Sequence, residues 1–289
     1  MNKILSSVLV ASLLLTNTYA TSSKTISQDA IKIAKHNAKT TSDAHIVKEA
    51  VEAVMLTQKV LIDLEKKDKK SAIKDIQNAI GKLEVILAKK DAPAMLPIDG
   101  SISAYEFNGD INVIEAGIRA AKKLLDKNKI QDARVILNKL QSEIDITTVN
   151  LPLASYPKAL KLAASYIHDD KMTEAKDILE MALSTLVTTK VVIPIPLVTA
   201  EALIHDARKI AKKDKKQALK HLEMAKKELK KAELLGYTSD SDITYKILDN
   251  AIERVEKEIK GKNKAEKLFD ELIQKLKSFK DSATHTTSK

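Results

Sequence analysis

Two carboxylates stand one residue apart in the stretch Ser142–Leu160, SEIDITTVNLPLASYPKAL: Glu143 and Asp145. A carboxylate pair is the residue set of glycoside chemistry, one member acting as acid and the other as base or nucleophile. The spacing does not single out that use. Glu143 lies where a helix is expected to end, and a carboxylate there serves equally well to satisfy backbone or lysine groups. The other chemistry-bearing residues are scattered. The six histidines, His36, His45, His168, His205, His221 and His285, include no i,i+4 pair and no HExxH, so the two-histidine zinc helix is missing. There is no cysteine, which removes thiol nucleophiles, thiolate metal sites and disulfides together. No G-x-S-x-G elbow, P-loop or dinucleotide fingerprint occurs. The expectation is a protein that is not an enzyme, with no catalytic residues, no cofactor and no metal.

What the same stretch carries is a connector. It has a near-echo at Ser184–Leu203, STLVTTKVVIPIPLVTAEAL. Each begins at a helix end, passes a Thr-Thr pair and a β-branched run, and reaches an apolar residue before proline. A new helix follows. Proline lacks an N–H and pushes the residue before it toward extended backbone, so neither helix continues through it. A third connector, AMLPID, lies at Ala94–Asp99. These segments read as short extended connectors that converge at one end of a helical bundle. Such segments either pack the bundle end, as proline-rich turns commonly do, or present a candidate partner-binding surface of Leu96, Pro97, Leu151, Pro152, Tyr156, Pro157, Pro194 and Pro196. Tyr156 is its probe, as the one large side chain with a polar tip beside the prolines.

The connectors separate repeated units. Ala72, Ala133, Ala175 and Ala218 align. Eight residues before each is an aliphatic: Leu64, Leu125, Ile167, Ile210. Four, seven and eleven after come Ile76, Ala79, Leu83; Leu137, Leu140, Ile144; Leu179, Ala182, Leu186; and Leu222, Ala225, Leu229. Those offsets trace one face of an α-helix. A short polar turn precedes each alanine, so the unit is helix, turn, helix. The fold class expected is all-α: a bundle of repeated helical hairpins with short Pro-containing connectors and a C-terminal helical extension. Five segments follow. Residues 1–20 read as a signal peptide and 21–43 as a polar N-terminal segment holding a short helix through Ile26–Ala38, with Ser42-Asp43 capping a further helix from Ala44. Residues 44–236 form the helical domain, with Gly236 as a C-cap. Residues 237–280 are the extension, opened by a capping box at Ser239–Asp242, and 281–289 a disordered tail.

Composition and compartment agree with that reading. Aromatic residues are 3%, and Gly and Pro number only 6 each, which excludes sandwich and most α/β enzyme classes. Lys3, the apolar run Ile4–Leu15 and the small residues Thr18 and Ala20 form a secretory signal with cleavage between Ala20 and Thr21. The expected location is the periplasm. The charge is +10. Its lysines are interleaved with acids along helices, as a solvated face requires. Weak contact with an anionic membrane surface is a reading of the same excess. Nucleic acid is not expected, because no aromatic residues interleave with the lysines to stack on bases.

The segments SEIDITTVNLPLASYPKALKLAASYI, the Lys171–Ala175 turn, VVIPIPLVTAEALIHDA, LEKKDKKSAIKDIQNAIGKLE and Leu96–Asp99 together resemble the YfdX family, over about Ala44 to Leu235. The resemblance implies a helix-rich exported bacterial protein linked to stress responses, with no catalytic motif to carry over. A stress-associated, non-catalytic binding or chaperone-like protein is the first functional expectation. Its partners would be a protein client, a peptide or an amphipathic small molecule. A glycan-acting cell-wall enzyme using Glu143 or Asp145 is the alternative, as is a structural homo-oligomer built through the C-terminal helices.

Overall fold

The computed structural model describes residues 22–239, 241–262 and 264–288. The expected signal and its cleavage point at Ala20 and Thr21 lie outside them. Among the described residues the chain is mostly helical. In order, it forms α1 (Ser23–His45), α2 (Lys48–Glu65), α3 (Lys69–Leu87) and β1 (Met95–Tyr105). Then come α4 (Ile111–Leu125), α5 (Ile130–Asn138), β2 (Glu143–Pro152), α6 (Tyr156–His168), α7 (Met172–Ser184) and β3 (Val187–Pro194). The remainder is α8 (Ile195–Ile210), α9 (Lys215–Leu234), α10 (Tyr245–Lys260), α11 (Glu266–Ala283) and β4 (His285–Ser288).

The connectors are longer than expected. They are full strands of 11, 10 and 8 residues, and with β4 they form one sheet in the order β1-β2-β3-β4. The β-branched runs Ile144–Val149 and Val187–Ile193 suit a pleated surface, and Pro152 and Pro194 end their strands, where no ladder N–H is needed. The chain divides into two compact units, 1–39 with 102–145 and 191–285, and 40–101 with 146–190 and 286–289.

In the second unit α2 packs on α3, α3 on α6, α6 on α7 and α7 on α2. Its core includes Leu64, Ile76, Leu83, Leu96, Leu151, Tyr156, Leu160, Ile167 and Leu179. Ala72 and Ala175, each the fourth residue of its helix, are wholly enclosed; small residues there let paired helices approach closely. The turns before them carry Lys67 and Asp170 at φ of 58° and 59°. This is the left-handed step that lets the Asp68 and Lys171 N–H groups reach back to Asp63 and Tyr166 at 2.9 and 2.8 Å and close the helix end.

In the first unit α8 packs on α9, α9 on α10, α10 on α11 and α11 on α8, while α4 packs on α5 and α9. Ten residues of α8 are buried, so it is enclosed on most of its circumference. Asp110, Asp214 and Thr244 cap α4, α9 and α10 by accepting from Val113, Gln217 and Ile247.

Four expectations are corrected. No helix starts at Ser42-Asp43. The short helix expected through Ile26–Ala38 is present but longer: the buried stripe Ile26, Ala30, Ala34, Ala38 continues to Ser42, so burial of one face carries α1 past the capping residues to His45. α10 is capped by Thr244, and Ser239 and Ser241 bond each other at 2.8 Å instead. In the second aligned unit α5 stops at Asn138, and Ile144 lies in β2; the β-branched residues that follow favour a strand. In the segment 281–289 expected as tail, α11 continues to Ala283 and β4 follows. The Gly236 C-cap is present, at φ 85°, with the Tyr237 N–H reaching the Ala232 carbonyl at 3.1 Å.

Candidate binding groove and buried polar networks

The eight residues expected to form an exposed surface are largely internal. In the second unit Leu96, Leu151, Tyr156 and Pro157 are buried, and Pro97 and Pro152 are half-buried. In the first, Pro194 and Pro196 are buried. Their strands pair in a sheet, and the apolar side chains turn inward. Tyr156 is fully enclosed. It is therefore not an exposed capture residue, and removing its ring is a core deletion.

A groove does open beside it. Between α6 and α7 a depression of about 310 Å³ is lined by Tyr156, Ala159, Leu162, Ile178, Met181 and Ala182, with Ser155, Lys158 and Thr185 at its margin. Pro157 starts α6 in the first turn, where proline's missing N–H costs nothing. Leu162 and Met181 stand 44% and 52% exposed on its walls. An apolar wall with a few polar groups at the edge suits an apolar or amphipathic ligand. The first unit has a larger groove of about 570 Å³ between α9 and α10, beside Ile111. Its walls are cross-linked by their own charges. Lys226 reaches Glu253 at 3.3 Å and Asp249 at 3.4 Å, so it reads as a helix seam.

The carboxylates singled out in the sequence are both buried in β2. Glu143 Oε2 accepts from the Tyr237 hydroxyl at 2.8 Å, and that hydroxyl accepts from the Ser142 N–H at 3.0 Å. Burial and the carboxylates of Glu143 and Asp145 push the Tyr237 phenol well above its ordinary value. Glu143 thus holds the segment after α9 against β2.

One constellation escapes sequence reasoning because its members are remote. The buried Ser23 hydroxyl, at the start of α1, meets His221 Nδ1 at 2.9 Å. Asp206 Oδ2 lies 3.3 Å from His221 Nε2, and Gln217 Nε2 also lies 3.3 Å from that nitrogen. These are the residue types of a nucleophilic relay. His221 is wholly enclosed on α9, however, and here the set fastens α1 to α8 and α9. Burial lowers the His221 pKa, with Asp206 opposing it. A second remote pair joins the buried Lys280 on α11 to the half-buried Glu201 on α8.

The family model described as YfdX protein matches residues 53–192. That stretch belongs to the YfdX family. A solved structure of YfdX from Salmonella Typhi is similar at 17% identity, covering 50% of this chain and 90% of that one, with a TM-score of 0.36. No curated protein matches. The YfdX match runs from α2 into β3. It contains the α6–α7 groove, Glu143 and Asp145, and the α4–α5 hairpin. It ends before α8, so His221, Tyr237 and Lys280 lie beyond it.

Proposed function

We propose that this chain is an exported, stress-associated binding protein of the YfdX type that captures apolar or amphipathic partners without a chemical step. The observation that carries the reading is the α6–α7 groove inside the YfdX region, with Leu162 and Met181 exposed on apolar walls. Two large apolar side chains left in water at a concave site are what a client segment or acyl chain would cover. Export rests on the signal-like Lys3–Ala20 segment and puts the protein in the periplasm. The four hairpins α2–α3, α4–α5, α6–α7 and α8–α9 are, on this reading, variants of one repeated unit.

The test is titration of the protein with a fluorescent acyl-chain probe, together with suppression of aggregation of a heat-unfolded test protein. Leu162→Lys/Met181→Lys alters exposed positions, so the fold persists. Losing two apolar contacts of about 1 kcal/mol each weakens capture by roughly 30-fold. Capture equal to wild type by the folded variant would place the binding site elsewhere and sink the reading.

A further inference from the structure

The α4–α5 hairpin is unlike the others. At the residue eight before the aligned alanine, Leu64 and Ile167 are buried and Ile210 is half-buried, whereas Leu125 is 46% exposed. Across the turn Ile130 is 56% exposed, and two helical turns on, along the same face of α5, Leu137 is 44% exposed. The hairpin tip is therefore apolar and uncovered. The charge around it is one-signed. From Lys122 to Lys139 there are six basic side chains, Lys122, Lys123, Lys127, Lys129, Arg134 and Lys139, against Asp126 and Asp132, a net +4. Among the described residues none of the six is in an ion pair. Elsewhere the chain's lysines commonly pair across helices, as Lys59 does with Asp75 and Lys161 with Glu84.

We infer that the α4–α5 tip docks on a bilayer containing anionic phospholipid. Leu125 and Ile130 enter the headgroup boundary, and the six basic side chains meet the phosphates. Apolar insertion and basic attraction are each weak alone, and a surface-bound element combines them. A protein groove or a second copy of the chain would have to match a net +4 patch with acidic groups. Beside this tip the hairpin itself offers only Asp126 and Asp132, which makes self-pairing across it repulsive. The hairpin belongs to the first unit and the α6–α7 groove to the second, and the inference does not depend on the capture reading.

The test is co-sedimentation of the full chain lacking its signal with vesicles of equal parts phosphatidylglycerol and phosphatidylcholine, against vesicles of phosphatidylcholine alone. The protein should pellet with the first and not the second, and release at high salt. Leu125→Asp/Ile130→Asp, at exposed positions and with unchanged circular dichroism, should cut the bound fraction at least tenfold. Lys122→Ala/Lys127→Ala/Lys129→Ala should remove the preference for phosphatidylglycerol. Three outcomes overturn the inference: no pelleting with anionic vesicles, pelleting that the Asp variants leave unchanged, or a dimer in light scattering that the Asp variants dissolve while wild type ignores vesicles.

Discussion

Tyr156 offers a demanding check on the packing. It sits at the start of α6 with no exposure, and its hydroxyl makes no hydrogen bond among the described residues. The Thr57 hydroxyl, its polar neighbour, donates to the Ala53 carbonyl at 2.8 Å, and its weak pull on the phenol falls outside hydrogen-bond geometry. Two substitutions therefore part company. Tyr156→Ala empties a ring-sized space in the core and should cost about 3–5 kcal/mol. Tyr156→Phe keeps the ring and removes a hydroxyl that has left water without gaining a partner. The penalty of such a group is about 1–3 kcal/mol, so the variant should be as stable as wild type or up to about 1 kcal/mol more stable. Urea midpoints at fixed slope read both.

The same residue has a pH signature. Burial pushes the Tyr156 phenol up to about 12, against about 10 in the unfolded chain. The unfolded state loses its proton first as pH rises. The stability held by the neutral phenol is thus complete below pH 10 and disappears between about 10 and 12, some 3 kcal/mol in all. Tyr156→Phe should remove that portion of the alkaline loss. A Tyr156→Phe cost above about 1 kcal/mol, or an alkaline limb identical to wild type, would show that the hydroxyl is hydrogen-bonded or wet and refute the argument.

On the acid side, burial holds His221 below its ordinary pKa. The stability of its neutral form is therefore complete above about pH 6.5 and lost as pH falls through the folded value; His221→Gln should flatten the pH 4–6.5 dependence of the thermal midpoint, leaving the share due to His205, which burial also lowers. At the Lys280–Glu201 pair, Lys280→Met alone should cost about 3 kcal/mol, because it strands a carboxylate, while Lys280→Met/Glu201→Leu should return the urea midpoint to within about 1 kcal/mol of wild type.

What was legible in the sequence was local. The 0, 4, 7, 11 spacing around Ala72 and Ala218 lies along buried helix faces, and around Ala175 it does so only as far as Ala182, because α7 ends at Ser184 and Leu186 lies beyond it; helical period and burial are both written in neighbouring residues. Gly236 was readable for the same reason: a left-handed helix end has a residue-type cost that glycine avoids. What was not legible depended on partners far along the chain. The prolines at 97, 152 and 194 marked extended segments lying together, but not the full length of the strands they belong to or the fourth strand, β4, that joins their sheet. Ser23 and His221 are separated by 198 residues, and no spacing rule joins them. Tyr156 looked like a polar-tipped surface residue because sequence does not reveal whether a tyrosine's tip faces water.

The sequence left the C-terminal helices two uses, packing back on the core or meeting another chain, and within this chain they take the first. α10 lies on α9, and α11 on both α10 and α8. Their buried residues Leu248, Ile252, Val255, Ile259, Phe269, Leu272 and Leu276 are as enclosed as any in the first unit. The polar ties run the same way. Tyr237 holds β2 through Glu143, the Tyr245 hydroxyl donates to the Tyr237 carbonyl, and Lys280 is buried against α8. An appendage would carry its apolar stripe to solvent or to another chain; this one spends it on α8 and α9. In the second unit α2–α3 is closed by α6–α7, and in the first α8–α9 is closed by α10–α11. Among the described residues α4 packs on α9 and α5 packs chiefly on α4, and the apolar tip between them, Leu125 and Ile130, is left in water.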